Sequence, residues 1–174
     1  MAKAKPLVGI LMGSDSDLPV MAEVARVLED YGIGYDMRVL SAHRTPEQAT
    51  AFARDASANG LKLVIAGAGG SAHLAGVIAA HTTLPVIGVP LAGSPLGGFD
   101  SLLSTVQMPP GIPVATVGVG PMGAKNAGHL AAAILALSDR ALRARLARKR
   151  QAMTEDVLKK GAALPARLRE LLSK

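Results

Sequence analysis

Short apolar runs alternate along the chain with longer stretches whose apolar positions recur at helical spacing. The runs near 6–12, 35–40, 61–66, 85–89 and 113–118 predict strands. The stretches near 17–31, 46–59, 71–81, 98–107 and 122–137 predict helices, with more helix from about residue 139 onward. Continuously apolar strands separated by helices suit a parallel sheet, whose two faces are both covered. The pattern therefore predicts a doubly wound α/β sheet with helices on both faces. It spans one domain over 1–174, of which 139–174 forms a basic helical C-terminal extension. The linker-like stretch Gly161-Ala-Ala-Leu-Pro165 lies too near the end to bound another domain.

Composition narrows the chemistry. A 174-residue chain that is 49% hydrophobic can fill a single core, and its apolar residues are mainly Ala, Val, Leu and Ile. Two Tyr, two Phe and no Trp leave little for sites built on aromatic stacking, which argues against a nucleic-acid platform. The absence of cysteine excludes disulfides, thiolate nucleophiles and Cys-ligated metals, and fits a cytoplasmic setting. The apolar run 6–12 is too short for a signal core, and no run reaches the roughly 18 residues of a membrane span; no membrane role is expected. The net charge of +6 is concentrated in 139–174, where eleven Lys and Arg face four Asp and Glu; the preceding residues sum to −1. Two readings fit this segment, a solvated or subunit-contacting amphipathic helix and one that binds nucleic acid or an anionic surface.

In open parallel sheets ligands bind beyond the carboxyl ends of the strands, so candidate chemistry is sought there. After the first strand, Gly13, Ser14, Ser16 and Asp17 offer close backbone approach, hydroxyls and a carboxylate for phosphate or sugar oxygens. The alternative is that Asp15 or Asp17 only caps a helix with Pro19 in its first turn. After the second strand, Thr45-Pro46-Glu47-Gln48 accounts for a helix start, with Thr45 as N-cap and Gln48 completing a capping box. Ser41, Ala42, His43 and Arg44 are left without that task. Histidine exchanges protons near neutral pH and arginine presents a planar fork to phosphate. At a strand end this pair reads as a proton carrier beside an anionic substrate, rather than surface decoration.

The third junction, Gly67-Ala68-Gly69-Gly70-Ser71-Ala72-His73-Leu74, matches the G-x-G-x-x-A dinucleotide fingerprint. A nicotinamide site also needs an acid or arginine for the ribose about 20 residues on, and no Asp, Glu or Arg occurs between Asp55 and Asp100. His73 instead brings a second histidine to the rim, with a helix-face histidine as the alternative. His81 and His129 are expected to be structural, and the four histidines lack metal-ligand spacing. P-loop and Gly-x-Ser-x-Gly signatures are absent.

Taken together, Met12-Gly-Ser-Asp-Ser-Asp17, Ser41-Ala-His-Arg-Thr-Pro46, Ala66-Gly-Ala-Gly-Gly-Ser-Ala-His-Leu74 and Asp100-Ser-Leu-Leu-Ser-Thr-Val-Gln-Met-Pro109 stand in an order and spacing that closely resembles the class I N5-carboxyaminoimidazole ribonucleotide mutases of purine biosynthesis. The likeness runs from about residue 6 to about 155. It implies a three-layer, flavodoxin-like homo-octamer that moves a carboxylate from N5 to C4 of a phosphorylated aminoimidazole ribonucleotide without metal, ATP or biotin. By resemblance His43 is the general acid and base, and Ser14, Ser16, Asp17, Ser41 and Arg44 hold phosphate and sugar. Gly13 and Ala42 belong to the same substrate-binding set. The stretch Gly67, Ala68, Gly69, Ser71, Ala72, His73 and Leu74 walls a pocket, closed to water, for the released carboxyl group. Arg44, where class II carboxylases carry lysine, favours the mutase over direct use of CO₂; that carboxylase, and a non-catalytic nucleotide- or flavin-binding module, are the alternatives.

Overall fold

A computed structural model describes residues 5–173. The chain divides between Leu135 and Ala136 into two compact units. The first holds five strands, β1 (Val8–Met12), β2 (Tyr35–Val39), β3 (Leu63–Gly69), β4 (Val86–Leu91) and β5 (Ala115–Thr116), all parallel and ordered β2-β1-β3-β4-β5. Five helices connect or follow them: α1 (Leu18–Asp30), α2 (Pro46–Asp55), α3 (Leu74–Ala79), α4 (Phe99–Val106) and α5 (Gly120–Leu135). This is the doubly wound, flavodoxin-like α/β sheet expected from the alternating pattern.

The sheet is buried on both faces because its strands carry apolar side chains at successive positions. Leu11, Val64 and Ala66 pack with Phe52 and Ala53 of α2 and Leu74, Ala75 and Ile78 of α3. On the opposite face α1 buries Met21, Val24 and Leu28, and α5 buries Ala124, Ala127 and Ala131. Gly128 lets α5 approach α1 closely: a Cβ there would lie 2.7 Å from Val27 Cβ. Register then sets the site. Met12 pairs with Val39 on one side and Gly67 on the other, so the chain leaves β1, β2 and β3 along one rim. Between β1 and β3 the connections run in opposite directions, which opens a crevice at that rim.

Several boundaries differ from the pattern-based expectation. β3 continues through Gly67 to Gly69, and β4 through Pro90 to Leu91. Gly67 is thus an interior strand residue, where a Cβ would meet Met21 Sδ at 2.3 Å. Helix α3 starts at Leu74 rather than near 71, because Gly70 to His73 form the turn out of β3.

The second unit contains α6 (Arg140–Leu172), whose N-cap Asp139 accepts the Leu142 N–H at 2.9 Å. Arg143 donates to the carbonyls of Ala136 and Leu137. The stretch 161–165, expected to be linker-like, is helical, with Pro165 inside the helix. Ala162, Ala163, Leu164 and Ala166 are strong helix formers on either side of that proline, and it removes only one backbone donor. Among the described residues no helix is long and apolar enough to cross a membrane.

Candidate active site

The rim crevice is a cleft of about 410 Å³, lined by Gly13, Ser14, Ser16 and Asp17 after β1, Ser41 to Arg44 after β2, Ala68 to Gly70 and Ala72 to Leu74 at the end of β3, and Gly93 after β4. Of the expected site residues, Gly67 and Ser71 do not line it: Gly67 is buried in the strand, and Ser71 is exposed outside the cleft. Gly70, inside the Gly67–Leu74 stretch that the resemblance sets around the site, and Gly93, in the neighbouring loop from Leu91 to Asp100, also line it. Gly93 follows β4 and was recoverable from the same strand-end rule that located the rest. A Cβ on Gly13, Gly70 or Gly93 would meet no protein atom within 4 Å, so these glycines leave space at the cleft rather than serving the protein's own packing.

After β1 the chain makes a short 3-10 turn, Asp15–Asp17, closed by a capping box. Ser14 Oγ accepts the Ser16 N–H, and Asp17 Oδ2 accepts the Ser14 N–H at 3.2 Å. Asp17 therefore closes the 3-10 turn through its side chain, makes no side-chain cap bond to α1, and lines the cleft. Burial pushes its carboxyl above the ordinary carboxylate value, against the lowering pull of the Ser14 N–H and the Arg44 guanidinium.

After β2 the turn is tied by Ser41. Its Oγ accepts the backbone N–H groups of His43 (3.3 Å) and Arg44 (3.1 Å), which leaves its own hydroxyl hydrogen free to donate. Thr45 does not cap α2 with its side chain, and the expected Thr45–Gln48 capping box is not formed. Its hydroxyl accepts the Ser41 N–H at 2.8 Å and donates to the Ser41 carbonyl, so it closes the turn that carries His43. Arg44 reaches across the crevice and donates to the Gly13 carbonyl at 2.7 Å, keeping its remaining N–H donors for an anion.

At the end of β3, Gly70 (φ 58°) and Ala72 (φ 39°) both take positive φ, Ala72 alone among the described non-glycine residues. They turn the chain so that His73 faces His43. His43 Nε2 and His73 Nδ1 are 2.8 Å apart, with the rings edge to face at 84°. The cleft thus holds hydroxyls, backbone N–H groups and a guanidinium suited to a phosphorylated sugar, beside an imidazole pair suited to proton transfer.

His81 and His129 lie elsewhere. His81 Nδ1 donates to the Val77 carbonyl at 2.9 Å, and His129 meets the Tyr31 hydroxyl at 3.1 Å, so both have structural partners as expected. A larger depression of about 1060 Å³ opens around Thr82–Val86 and Gly111–Pro113, at the amino end of β4. Size favours it. Chemistry favours the smaller cleft, which sits at the carboxyl ends of the strands and gathers both the imidazole pair and the hydroxyl groups. In this chain the cleft is open, and His43 and His73 are exposed; the water-sealed pocket expected from the resemblance is not formed by one chain.

The fold defines a flavodoxin-like α/β protein whose candidate site is the cleft at the switch between β1 and β3. Residues 7–156 match the family model described as AIR carboxylase, and the chain belongs to that family. It is 58% identical over 148 residues to an N5-carboxyaminoimidazole ribonucleotide mutase of Pyrococcus abyssi, covering 85% of this chain and 84% of that protein. It is 52% identical over 163 residues to the protein of the same name from Mycobacterium tuberculosis, covering 94% and 92%. The crystal structure of Treponema denticola PurE superposes with a TM-score of 0.83 at 31% identity, covering 91% of this chain and 98% of that one.

Proposed function

We propose that this chain is an N5-carboxyaminoimidazole ribonucleotide mutase of purine biosynthesis, which moves the carboxylate from N5 to C4 of the aminoimidazole ring. The observation that carries the reading is the convergence of His43, Arg44 and the Ser14–Asp17 turn on one cleft at the strand switch. Decarboxylation at N5 breaks the C–N bond and requires a proton on N5; attack of C4 on the released CO₂ forms the C–C bond and requires loss of the C4 proton. One histidine that gives a proton and then takes one back serves both steps. His43 is assigned that role. Arg44, Ser14, Ser16, Asp17 and the Ser41 hydroxyl hold the phosphate and sugar, and the small residues Ala68, Gly69, Gly70 and Ala72 leave room beside the ring for CO₂. No metal, ATP or biotin is needed for this isomerisation.

The reading carries a cytoplasmic setting and a homo-octamer, in which neighbouring copies close the cleft that a single chain leaves open. The chain acts as one α/β domain extended by the basic helix α6: every cleft residue precedes Leu135.

The test is isomerisation of N5-carboxyaminoimidazole ribonucleotide by the purified protein without ATP. His43→Asn is expected to lower kcat at least about 100-fold, as loss of a general acid–base does, with an unchanged circular dichroism spectrum. Faster turnover of aminoimidazole ribonucleotide with CO₂ than of the N-carboxylated compound would make the chain a direct carboxylase instead.

A further inference from the structure

Two imidazole nitrogens 2.8 Å apart can be neither both bare nor both protonated, so one hydrogen lies between His43 Nε2 and His73 Nδ1. The outer nitrogens, His43 Nδ1 and His73 Nε2, have no hydrogen-bond partner among the described residues. This ties the two rings' protonation together. When both rings are neutral, the ring that owns the bridging hydrogen has a bare outer nitrogen, and the other ring carries its hydrogen outside. One further proton fills the bare position. A second would place two positive rings in contact, beside the Arg44 guanidinium.

We infer that His73 is a positioning residue that fixes the tautomer of His43, so that a single nitrogen, Nδ1, both delivers and recovers the proton of the reaction. This rests on the mutase reading above. With one extra proton on the pair, His43 Nδ1–H gives its proton to N5 as the carboxyl carbon leaves as CO₂. The bridging hydrogen stays on Nε2, held by His73 Nδ1, and Nδ1 becomes bare. When C4 bonds to CO₂, its proton passes to that same bare Nδ1, and the pair returns to its starting state. Protons and bonds balance, and His73 remains the neutral Nε2–H form throughout. Without His73, neutral His43 could hold its hydrogen on either nitrogen, and the base would be absent from the required place part of the time.

The backbone is built to aim His73. The Ala72 N–H donates to the Gly69 carbonyl, the His73 carbonyl accepts the Val77 N–H, and Ala72, only 4% exposed, is held at a φ that favours glycine. Such backbone strain persists only where surrounding contacts enforce it. The charged groups facing the pair are few. Asp17 and Arg44 line the cleft and Asp15 adjoins it, while α3 and the residues 92–98 contribute none.

The experiment compares the full-length protein with His73→Phe and His73→Asn. Asparagine places an amide oxygen near the position of Nδ1 but does not titrate. His73→Phe is expected to lower kcat at least about 10-fold, with little change in KM, because loss of the partner that orients a general acid–base histidine leaves it in the wrong tautomer. His73→Asn is expected to recover most of that loss. In ¹⁵N NMR of the free protein, neutral His43 is expected as the Nε2–H tautomer in the parent and in His73→Asn, and as a tautomer mixture in His73→Phe. A folded His73→Phe variant with parental kcat, or a parental His43 protonated at Nδ1 in its neutral form, would overturn the inference. If the parent does not isomerise the substrate, the mutase reading falls, and the tautomer measurement decides the pairing alone.

Discussion

At the residue scale, Asp17 shows how one side chain serves both turn and cleft. Its carboxylate receives the Ser14 N–H and sits opposite Arg44, yet burial dominates and raises its pKa. A carboxyl whose folded-state pKa lies above its unfolded value contributes stability in the protonated form. That contribution is complete below the unfolded value and is lost as pH rises through the folded one. Asp17→Asn, which cannot ionise, should therefore gain in Tm relative to the parent as pH rises through that window, while losing substrate affinity at pH 7. Melting curves from acid to neutral pH, with binding measured at pH 7, check both; a Tm difference that shrinks with rising pH would refute the assignment. The sequence made Ser14, Asp17, His43 and Arg44 legible because strand ends are where an open parallel sheet displays chemistry. It did not reveal that Thr45 ties the Ser41 turn instead of capping α2, since a hydroxyl that can bond either way is decided by the turn's closure.

At the element scale, the hydrophobic pattern located each strand and helix because their apolar spacing reflects burial. It misplaced ends where glycine has two uses. Gly67 reads as part of a loop fingerprint, but it is a strand residue kept small by Met21, a contact from distant sequence. The same ambiguity separates two helical glycines with opposite expected effects. A Cβ at Gly128 would press on Val27 Cβ at 2.7 Å and Val24 O at 3.2 Å, so Gly128→Ala should force α5 from α1 and cost about 1–3 kcal/mol by overpacking. Gly161, in α6, has nothing within 4 Å, so Gly161→Ala should stabilise its helix by about 1 kcal/mol. Denaturant unfolding reads the first and amide hydrogen exchange within α6 the second. A Gly128→Ala variant as stable as the parent would show that packing between α1 and α5 is not what holds Gly128 small.

At the scale of the whole molecule, the chain leaves apolar surface that its own fold does not use. On α4, Phe99, Leu103 and Val106 are 64%, 41% and 49% exposed, and their spacing places them along one helix face. Met122, at the start of α5, is 72% exposed. Exposed apolar residues aligned along one helix face mark an interaction surface rather than an ordinary solvated face. The open cleft gives that surface a use, because His43 and His73 stand in water in one chain, whereas retention of CO₂ beside the ring calls for a site closed to it. Assembly through the α4 face would join the two facts. Burying a large aliphatic side chain contributes about 1.5–3 kcal/mol, and a buried unpaired carboxylate reverses the sign. The double variant Leu103→Asp, Val106→Asp should therefore shift the proposed octamer to smaller species in native mass spectrometry, while keeping its circular dichroism spectrum. Its kcat should fall with the assembly although neither residue lines the cleft. A parent protein that is monomeric at micromolar concentration, or a variant that stays octameric, would show that α4 is not the face through which copies meet.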